Sequence, residues 1–146
     1  MTAPGSVGRV ALRSRDPLVP PIIDYNLLSD PSDRRRMIQG LKLARRVAQT
    51  PPLAALIDHE MIPGAGIAGD DALAAAIERQ LDTFHHGCCT APMGGDRDPA
   101  AVVDPAGAVR GVANLSVIDA SILPEIPSTP INLTVIMLAE RLAAAG

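Results

Sequence analysis

Apolar residues fall into helix-spaced runs set between stretches dense in proline and glycine. Met37, Leu41, Ala44 and Val47, with Ile38 and Leu43, recur at helical spacing. Ahead of them, Ser29-Asp30-Pro31-Ser32-Asp33 offers Ser or Asp as an N-cap and Pro near the first turn. Thr50-Pro51-Pro52 stops this helix, and a second, short one is predicted over Leu53–Ile57. Asp70-Asp71 caps a third, with Leu73, Ile77 and Leu81 on one face. The chain closes in a helix from about Asn132 to Ala144. There Leu133, Ile136, Met137 and Ala139, with Val135 and Leu138, make a surface apolar nearly all round, the pattern of a helix buried on several sides.

Strand signals are sparse. Residues 7–13 predict a short strand, followed by a proline-rich extended stretch to Pro21. Leu115-Ser116-Val117-Ile118 predicts another. Pro63-Gly64-Ala65-Gly66 is a turn, residues 85–110 are mostly loop, and Pro124, Pro127 and Pro130 hold the approach to the last helix extended. Strands and helices do not alternate in a βαβ rhythm, so the class is α+β with no complete Rossmann unit.

Composition thins the expected core. In 146 residues there are one Phe, one Tyr and no Trp, against fourteen prolines and twelve glycines. Large aromatics normally supply much of a core's buried area. Many loops around a thin core are what a piece of a larger protein looks like, and the isolated chain is expected to fold marginally or self-associate. The net charge of −3 argues against a nucleic-acid surface. The one basic cluster, Arg34-Arg35-Arg36 with Lys42, Arg45 and Arg46, reads as a solvated helix face. No apolar run approaches a membrane span. Met-Thr-Ala-Pro-Gly does not open a secretory signal, and two adjacent cysteines make no disulfide framework, so the expected compartment is cytoplasmic.

The candidate chemistry lies in the last third. Phe84-His85-His86-Gly87-Cys88-Cys89-Thr90-Ala91-Pro92-Met93-Gly94 joins a His-His pair to a glycine-bounded loop, and Asn132 opens the last helix. An imidazole, an amide and a helix N-terminus suit an anionic, planar ligand. A metal site is not expected, because adjacent His-His and Cys-Cys pairs lack the spacing of tetrahedral ligand sets. His59, between Asp58 and Glu60, reads as a surface residue.

Several further segments stand in a telling order: Gly8-Arg-Val-Ala-Leu-Arg-Ser14 with Asp16-Pro17 and Pro21-Ile22; Asn26-Leu-Leu-Ser-Asp-Pro-Ser-Asp33; Glu60-Met-Ile-Pro-Gly64; and Asp70-Asp71-Ala-Leu73. His86 through Met93-Gly94, Val103-Asp104, Asp119-Ala-Ser-Ile-Leu-Pro124 and Asn132 onward follow. In register, these resemble the C-terminal domain of the glucose–methanol–choline (GMC) flavoprotein oxidoreductases, over residues 1–146 nearly end to end. Two departures touch the loop: Ala91-Pro92 stands where the family has Cys-Lys, and Gly87 follows His86 where the family has Pro. Gly64-Ala-Gly66-Ile-Ala-Gly69 matches G-x-G-x-x-G only as a string, since it follows a proline turn and not a strand. The family's FAD-binding half is therefore expected to be absent from these residues.

The resemblance implies the substrate-facing part of an FAD-dependent oxidoreductase acting on the CH–OH group of an alcohol, with the hydroxyl proton passing to His and hydride to the flavin. By motif position His86 is the catalytic histidine and Asn132 the second active-site residue, bonding the substrate oxygen. Without the resemblance, His86 reads as a histidine bonded to backbone and Asn132 as a helix cap. His85 is a packing or orienting neighbour. Asp119 and Ala120 match the segment reaching the ribityl and phosphate region, with the Ala120 amide as phosphate donor. Leu133 and Thr134 would offer helix N–H groups to the flavin's anionic edge. FAD is not expected to be retained by the chain alone. The alternatives are a subunit of a split enzyme with a separate FAD-binding chain, self-association, or a non-catalytic remnant.

Overall fold

The computed structural model describes residues 3–144. They form two compact units, one from Ala3–Gly8 and Tyr25–Thr83, the other from Arg9–Asp24 and the chain from Phe84 onward. Mixed short strands and helices make the class α+β, as the pattern predicts.

In the first unit, helix α1 (Pro31–Ala48) starts as the residues dictate. Asp30 is the N-cap, its carboxylate accepting the Ser32 N–H at 2.7 Å, and Pro31 occupies the first turn, where no N–H is needed. Asp33 lies in the same turn and is wholly buried. It accepts the N–H of Gly5 (3.0 Å) and of Ser6 (2.8 Å) and the Ser6 hydroxyl (2.7 Å). The same hydroxyl accepts the Asp30 N–H at 3.0 Å, so one serine stitches both ends of the turn to the preceding segment. Gly5 must be glycine here: a Cβ would sit 2.5 Å from the Asp30 carboxylate.

Helix α2 (Asp70–Gln80) packs on α1 around Ile38, Leu73 and Ala74, flanked by Leu41, Ile67 and Ile77. Asp70-Asp71 does not cap it. Gly69, at φ 82°, is the N-cap, and the two aspartates sit in the first turn, where they complement the helix dipole. Leu81 falls at the C-cap rather than on the helix. The predicted second helix is a single 3-10 turn, Leu53–Ala55.

The basic cluster is exposed, as expected, except at Arg45. Arg34 pairs with Glu78 and Lys42 with Asp70. Arg45 grips Glu60 through two nitrogens (2.8 and 2.9 Å) and bonds the carbonyls of Ile67 (2.9 Å) and Gly64 (3.1 Å). One guanidinium thus ties the glycine-rich approach of α2 to the end of α1. That approach is a succession of turns with no strand before it, so the G-x-G-x-x-G string makes no dinucleotide cradle.

The second unit holds strands β1 (Arg9–Ala11) and β2 (Ile22–Asp24), antiparallel, with Val10 opposite Ile23. β1 is shorter than predicted, and its partner is the end of the proline-rich stretch. Pro20 and Pro21 have no N–H to give, so pairing begins at Ile22. The predicted strand at 115–118 is reduced to a bridge between Ser116 and Ala108. Its hydrogen bonds, Val109 N–H to Leu115 O and Val117 N–H to Gly107 O, both 2.9 Å, close around the turns at residues 110–114, and Gly107 ends the preceding turn from Asp104. Gly107 has φ 83°, and a Cβ there would lie 3.0 Å from the Val117 carbonyl, so glycine is required twice over.

Helix α3 (Ile131–Ala143) ends the described chain. Its all-round apolarity predicts burial on several sides, and that is not what this chain supplies. Ile131 is buried, but Leu133, Ile136 and Met137 are 78%, 51% and 52% exposed, at the spacing of one helix face. The exposed stripe is an apolar surface that these residues leave uncovered. Among the described residues no helix is long and apolar enough to cross a membrane.

The buried aspartate yields a prediction. Burial pushes the Asp33 carboxyl up, but the Gly5 N–H, the Ser6 hydroxyl and N–H and the Arg36 charge outweigh it, holding it below its ordinary 3.8. A depressed folded-state value lends stability that is complete above 3.8 and is lost as pH falls through the lower folded value. Hydrogen exchange, corrected for intrinsic rates, should show the Gly5 and Ser6 amides protected at neutral pH and released below that window. Asp33→Ala should expose both at every pH, each unpaired donor costing about 1–3 kcal/mol. Unchanged protection in the variant would refute the tie.

Candidate functional site

The loop that carries His86 is anchored by backbone, not by its own side chains. The N–H groups of Cys89, Ala91 and Met93 donate to the carbonyls of Ala120 (3.2 Å), Ser121 (2.9 Å) and Ile122 (2.8 Å). Alternate residues of an extended run thereby meet consecutive residues of a 3-10 turn, Ala120–Ile122. Ile122 and Val103, both 0% exposed, fill the space behind this ladder. With water excluded there, the backbone groups must pair within the protein.

Pro92 falls on the off-beat of the ladder, where no donor is called for. Its carbonyl accepts the N–H groups of Val102 (2.9 Å) and Val103 (3.3 Å). The family's Lys is therefore replaced at a position whose N–H the ladder does not use. Beyond it, Gly94 allows close passage: a Cβ would stand 2.6 Å from the Asp98 carboxylate and 2.8 Å from the Ala101 Cβ. Arg110 closes this end by donating Nη2 to the Gly94 carbonyl at 2.8 Å. Asp104, of the Val-Val-Asp segment, turns the chain by accepting the Ala106 and Ala108 N–H groups, each at 2.9 Å.

At the free end of the loop His86 is exposed, and among the described residues its imidazole makes no hydrogen bond, so it is not a histidine bonded to backbone. Its ring meets that of Phe84 edge-on, with centroids 5.2 Å apart and planes at 66°. Phe84 is thus a ring neighbour of His86. His85 adopts φ 58°, a left-handed conformation that turns the chain between the two rings. Sequence reasoning passed over Phe84, although it is the one phenylalanine in the chain and stands two residues from the candidate base. His59 is exposed, as expected, and pairs with Asp58 at 2.6 Å.

Asp119 is the N-cap of the 3-10 turn, its carboxylate accepting the Ser121 N–H at 2.7 Å. Bonds from the Ser121 hydroxyl and N–H hold its carboxyl below the usual range, against the opposing effect of partial burial. Its negative charge is therefore stabilised by Ser121 and retained. The Ala120 N–H meets no acceptor among the described residues.

Asn132 is the second residue of α3 and exposed. The N-cap is Pro130, and no side chain caps the helix, so the capping role does not apply to Asn132. No acidic residue occupies the first turn. The first intrahelical bond joins the N–H of Thr134 to the Pro130 carbonyl. The backbone donors left over are those of Ile131, Asn132 and Leu133. Of the two donors expected from sequence, Leu133 lies among these free N–H groups and Thr134 opens the intrahelical bonding. His86, Asp119, Ala120, Asn132 and Leu133 all belong to the second unit.

An unpaired imidazole, a hydrogen-bonded carboxylate, free backbone donors and an uncapped helix start thus lie within one unit. The family description "GMC oxidoreductase" matches residues 4–139, and the chain belongs to that family, in its C-terminal domain. It is 41% identical over 140 residues to an alcohol dehydrogenase [acceptor] of Pseudomonas putida, covering 96% of this chain and 25% of that one. Pyridoxine 4-oxidase from Mesorbium loti superposes with TM-score 0.89 at 33% identity, over 99% of this chain and 28% of that one. An FAD-dependent oxidoreductase from Chaetomium thermophilum does so with TM-score 0.85 at 34% identity, over 98% and 25%. The chain spans about a quarter of the length of these relatives.

The ladder makes its own prediction. Ile122→Ala should cost about 2–5 kcal/mol, the usual range for emptying a buried aliphatic site. It should also raise hydrogen exchange at Ala91 and Met93 while leaving Ile38 on α1 unaffected. Equal loosening at all three positions would mean that Ile122 supports the fold at large rather than the loop.

Proposed function

We propose that this chain is the substrate-side domain of an FAD-dependent oxidoreductase that acts on alcohol CH–OH groups, with His86 as proton acceptor and Asn132 as positioning donor. The observation that carries the reading is the ladder. It holds the loop of His86 against the Asp119–Ala120 segment, so the candidate base and the candidate cofactor segment form one piece of backbone.

The residues present fit one part of the cofactor. An uncapped helix start without acidic residues and an unpartnered Ala120 N–H are donors without a protein acceptor, as an anionic ring edge and a phosphate require. FAD, when bound, supplies the acceptor for the substrate hydride. His86, free of protein partners, takes the hydroxyl proton through an imidazole nitrogen, and Phe84 restricts its ring. The Asn132 side-chain amide donates to the substrate oxygen and holds it in line with His86. The N–H groups of Ile131 and Leu133, at the positive end of the α3 dipole, offset negative charge that develops nearby. The Asp119 carboxylate, held in its charged form by Ser121, is left able to accept from sugar hydroxyls.

The dinucleotide cradle is not among these residues, and the exposed stripe of α3 supports cover by further protein surface, such as an FAD-binding domain or a second copy. Purified alone, the chain should hold no flavin. A flavin absorbance spectrum surviving desalting would contradict this and indicate a self-sufficient site.

Joined to an FAD domain of the family, as a reconstituted pair or a chimera, the chain permits a kinetic test by stopped-flow reduction of bound flavin. His86→Ala should slow reduction about a hundred- to ten-thousand-fold, the usual contribution of a general base, with little change in flavin affinity. Asn132→Ala should cost less, since the proton acceptor remains, and His85→Ala least. A damaging His85→Ala beside a silent His86→Ala would reverse the assignment.

A further inference from the structure

We propose that Cys88 and Cys89 form a redox modification site, at which a hydroperoxide oxidises the adjacent thiols to a vicinal disulfide that reversibly reshapes the His86 loop. They are the only two cysteines of the chain. Their sulfurs lie 3.5 Å apart, the Cys89 thiol donating to the Cys88 sulfur, and both are partly exposed. Successive residues of an extended chain point to opposite sides. Here they do not, because Cys89 takes φ 65°, a conformation L-residues seldom adopt. The unusual backbone angle brings both thiols to one side, so no segment has to travel for them to react.

The two sulfurs are not equivalent. Burial first, then the contact with Cys88 and the negative charge of Glu125, push the Cys89 thiol up to about 12. Cys89 keeps its proton at neutral pH, and the first attack falls to Cys88. The Cys88 thiolate attacks one peroxide oxygen, the O–O bond breaks, and Cys88 becomes a sulfenic acid as hydroxide leaves. The Cys89 sulfur then attacks the Cys88 sulfur, the S–O bond breaks, and the displaced hydroxide leaves as water with the Cys89 proton. Two thiols lose two electrons in all, and the peroxide is reduced to two waters. A neutral thiol is a weak nucleophile, but its placement compensates for much of that weakness.

The product is strained by construction. Consecutive Cα atoms stand about 3.8 Å apart, below the roughly 4.4 Å at which ordinary disulfides begin. A strained bond is easily reduced, the property of a switch and not of a staple. The ring closes through the peptide between the two cysteines, whose N–H supplies the first rung of the ladder, Cys89 to Ala120. Gly87, with open space around it, passes the change on to His86. Any effect on catalysis rests on the proposed role of His86; the modification itself does not.

The test needs no activity. The reduced chain is treated with hydrogen peroxide, its free thiols are titrated, and the tryptic peptide from Gln80 to Arg97, which carries both cysteines, is weighed without reduction. Both thiols should disappear together, with the peptide lighter by about 2 Da, and dithiothreitol should restore it. Peptides that gain oxygen at a cysteine instead, as fragmentation separates from sulfoxide at Met93, or that are joined in pairs between chains, overturn the proposal. Cys89→Ser should leave a sulfenic acid at Cys88 that dimedone traps, and Cys88→Ser a thiol that survives the same dose. Loss of the Cys88→Ser thiol as fast as in the parent would also overturn it. Finally, oxidation should raise hydrogen exchange at Cys89, and an unchanged rate there defeats the claim that the loop is reshaped.

Discussion

Three backbone hydrogen bonds, from Cys89, Ala91 and Met93 to Ala120, Ser121 and Ile122, are what the candidate site depends on. Neither partner is regular structure in its own right: one is a loop, the other a single 3-10 turn. A turn so short leaves carbonyls without helical donors, and a loop so extended leaves N–H groups without a sheet. Each supplies what the other lacks. Ile122 and Val103 then seal the pairing from water, so that the site gains definition from two side chains and a run of backbone.

The same economy runs through the first unit. Its fully buried large side chains are Leu73 and, unusually, Asp33. With so little apolar volume to bury, polar ties carry an unusual share of the work. Asp33 gathers three donors from a segment distant in sequence, and Arg45 gathers a carboxylate and two carbonyls. Such ties are directional where apolar contacts are not. They fix the entry to α1 and the approach to α2 more narrowly than a thin core could.

How much of this was legible depended on the range of the interaction that set it. The start of α1 was readable because Asp30 and Pro31 act on their immediate neighbours. Misreadings arose where a local rule had two candidates. Gly69, able to adopt φ 82°, took the cap of α2 from Asp70, and Pro130 took that of α3 from Asn132. The solvated reading of Arg45 failed because its partners, Glu60, Gly64 and Ile67, lie 15 to 22 residues away. The strand expected at Leu115–Ile118 failed because its partner segment begins only at Gly107, where the turn from Asp104 ends, leaving room for a single bridge. The motif positions of His86 and Asn132 were visible, but the role of Phe84 was not. Nothing in the spacing says which side chain will meet a ring across a left-handed turn at His85.

The exposed stripe of α3 follows from the chemistry assigned to its N-terminus. A helix start that leaves its N–H groups free for a ligand forgoes a side-chain cap, which is commonly worth about 1 kcal/mol, and gains nothing from acidic residues in its first turn. Stability must then come from packing along the helix body. Ile131 and Leu142 give part of that within the second unit, with Leu142 close against the Gly107 turn. Leu133, Ile136 and Met137 remain for a partner surface to complete. An uncapped start and an unfinished apolar face go together under the proposed function: a helix whose end served a ligand would have to be held by its sides.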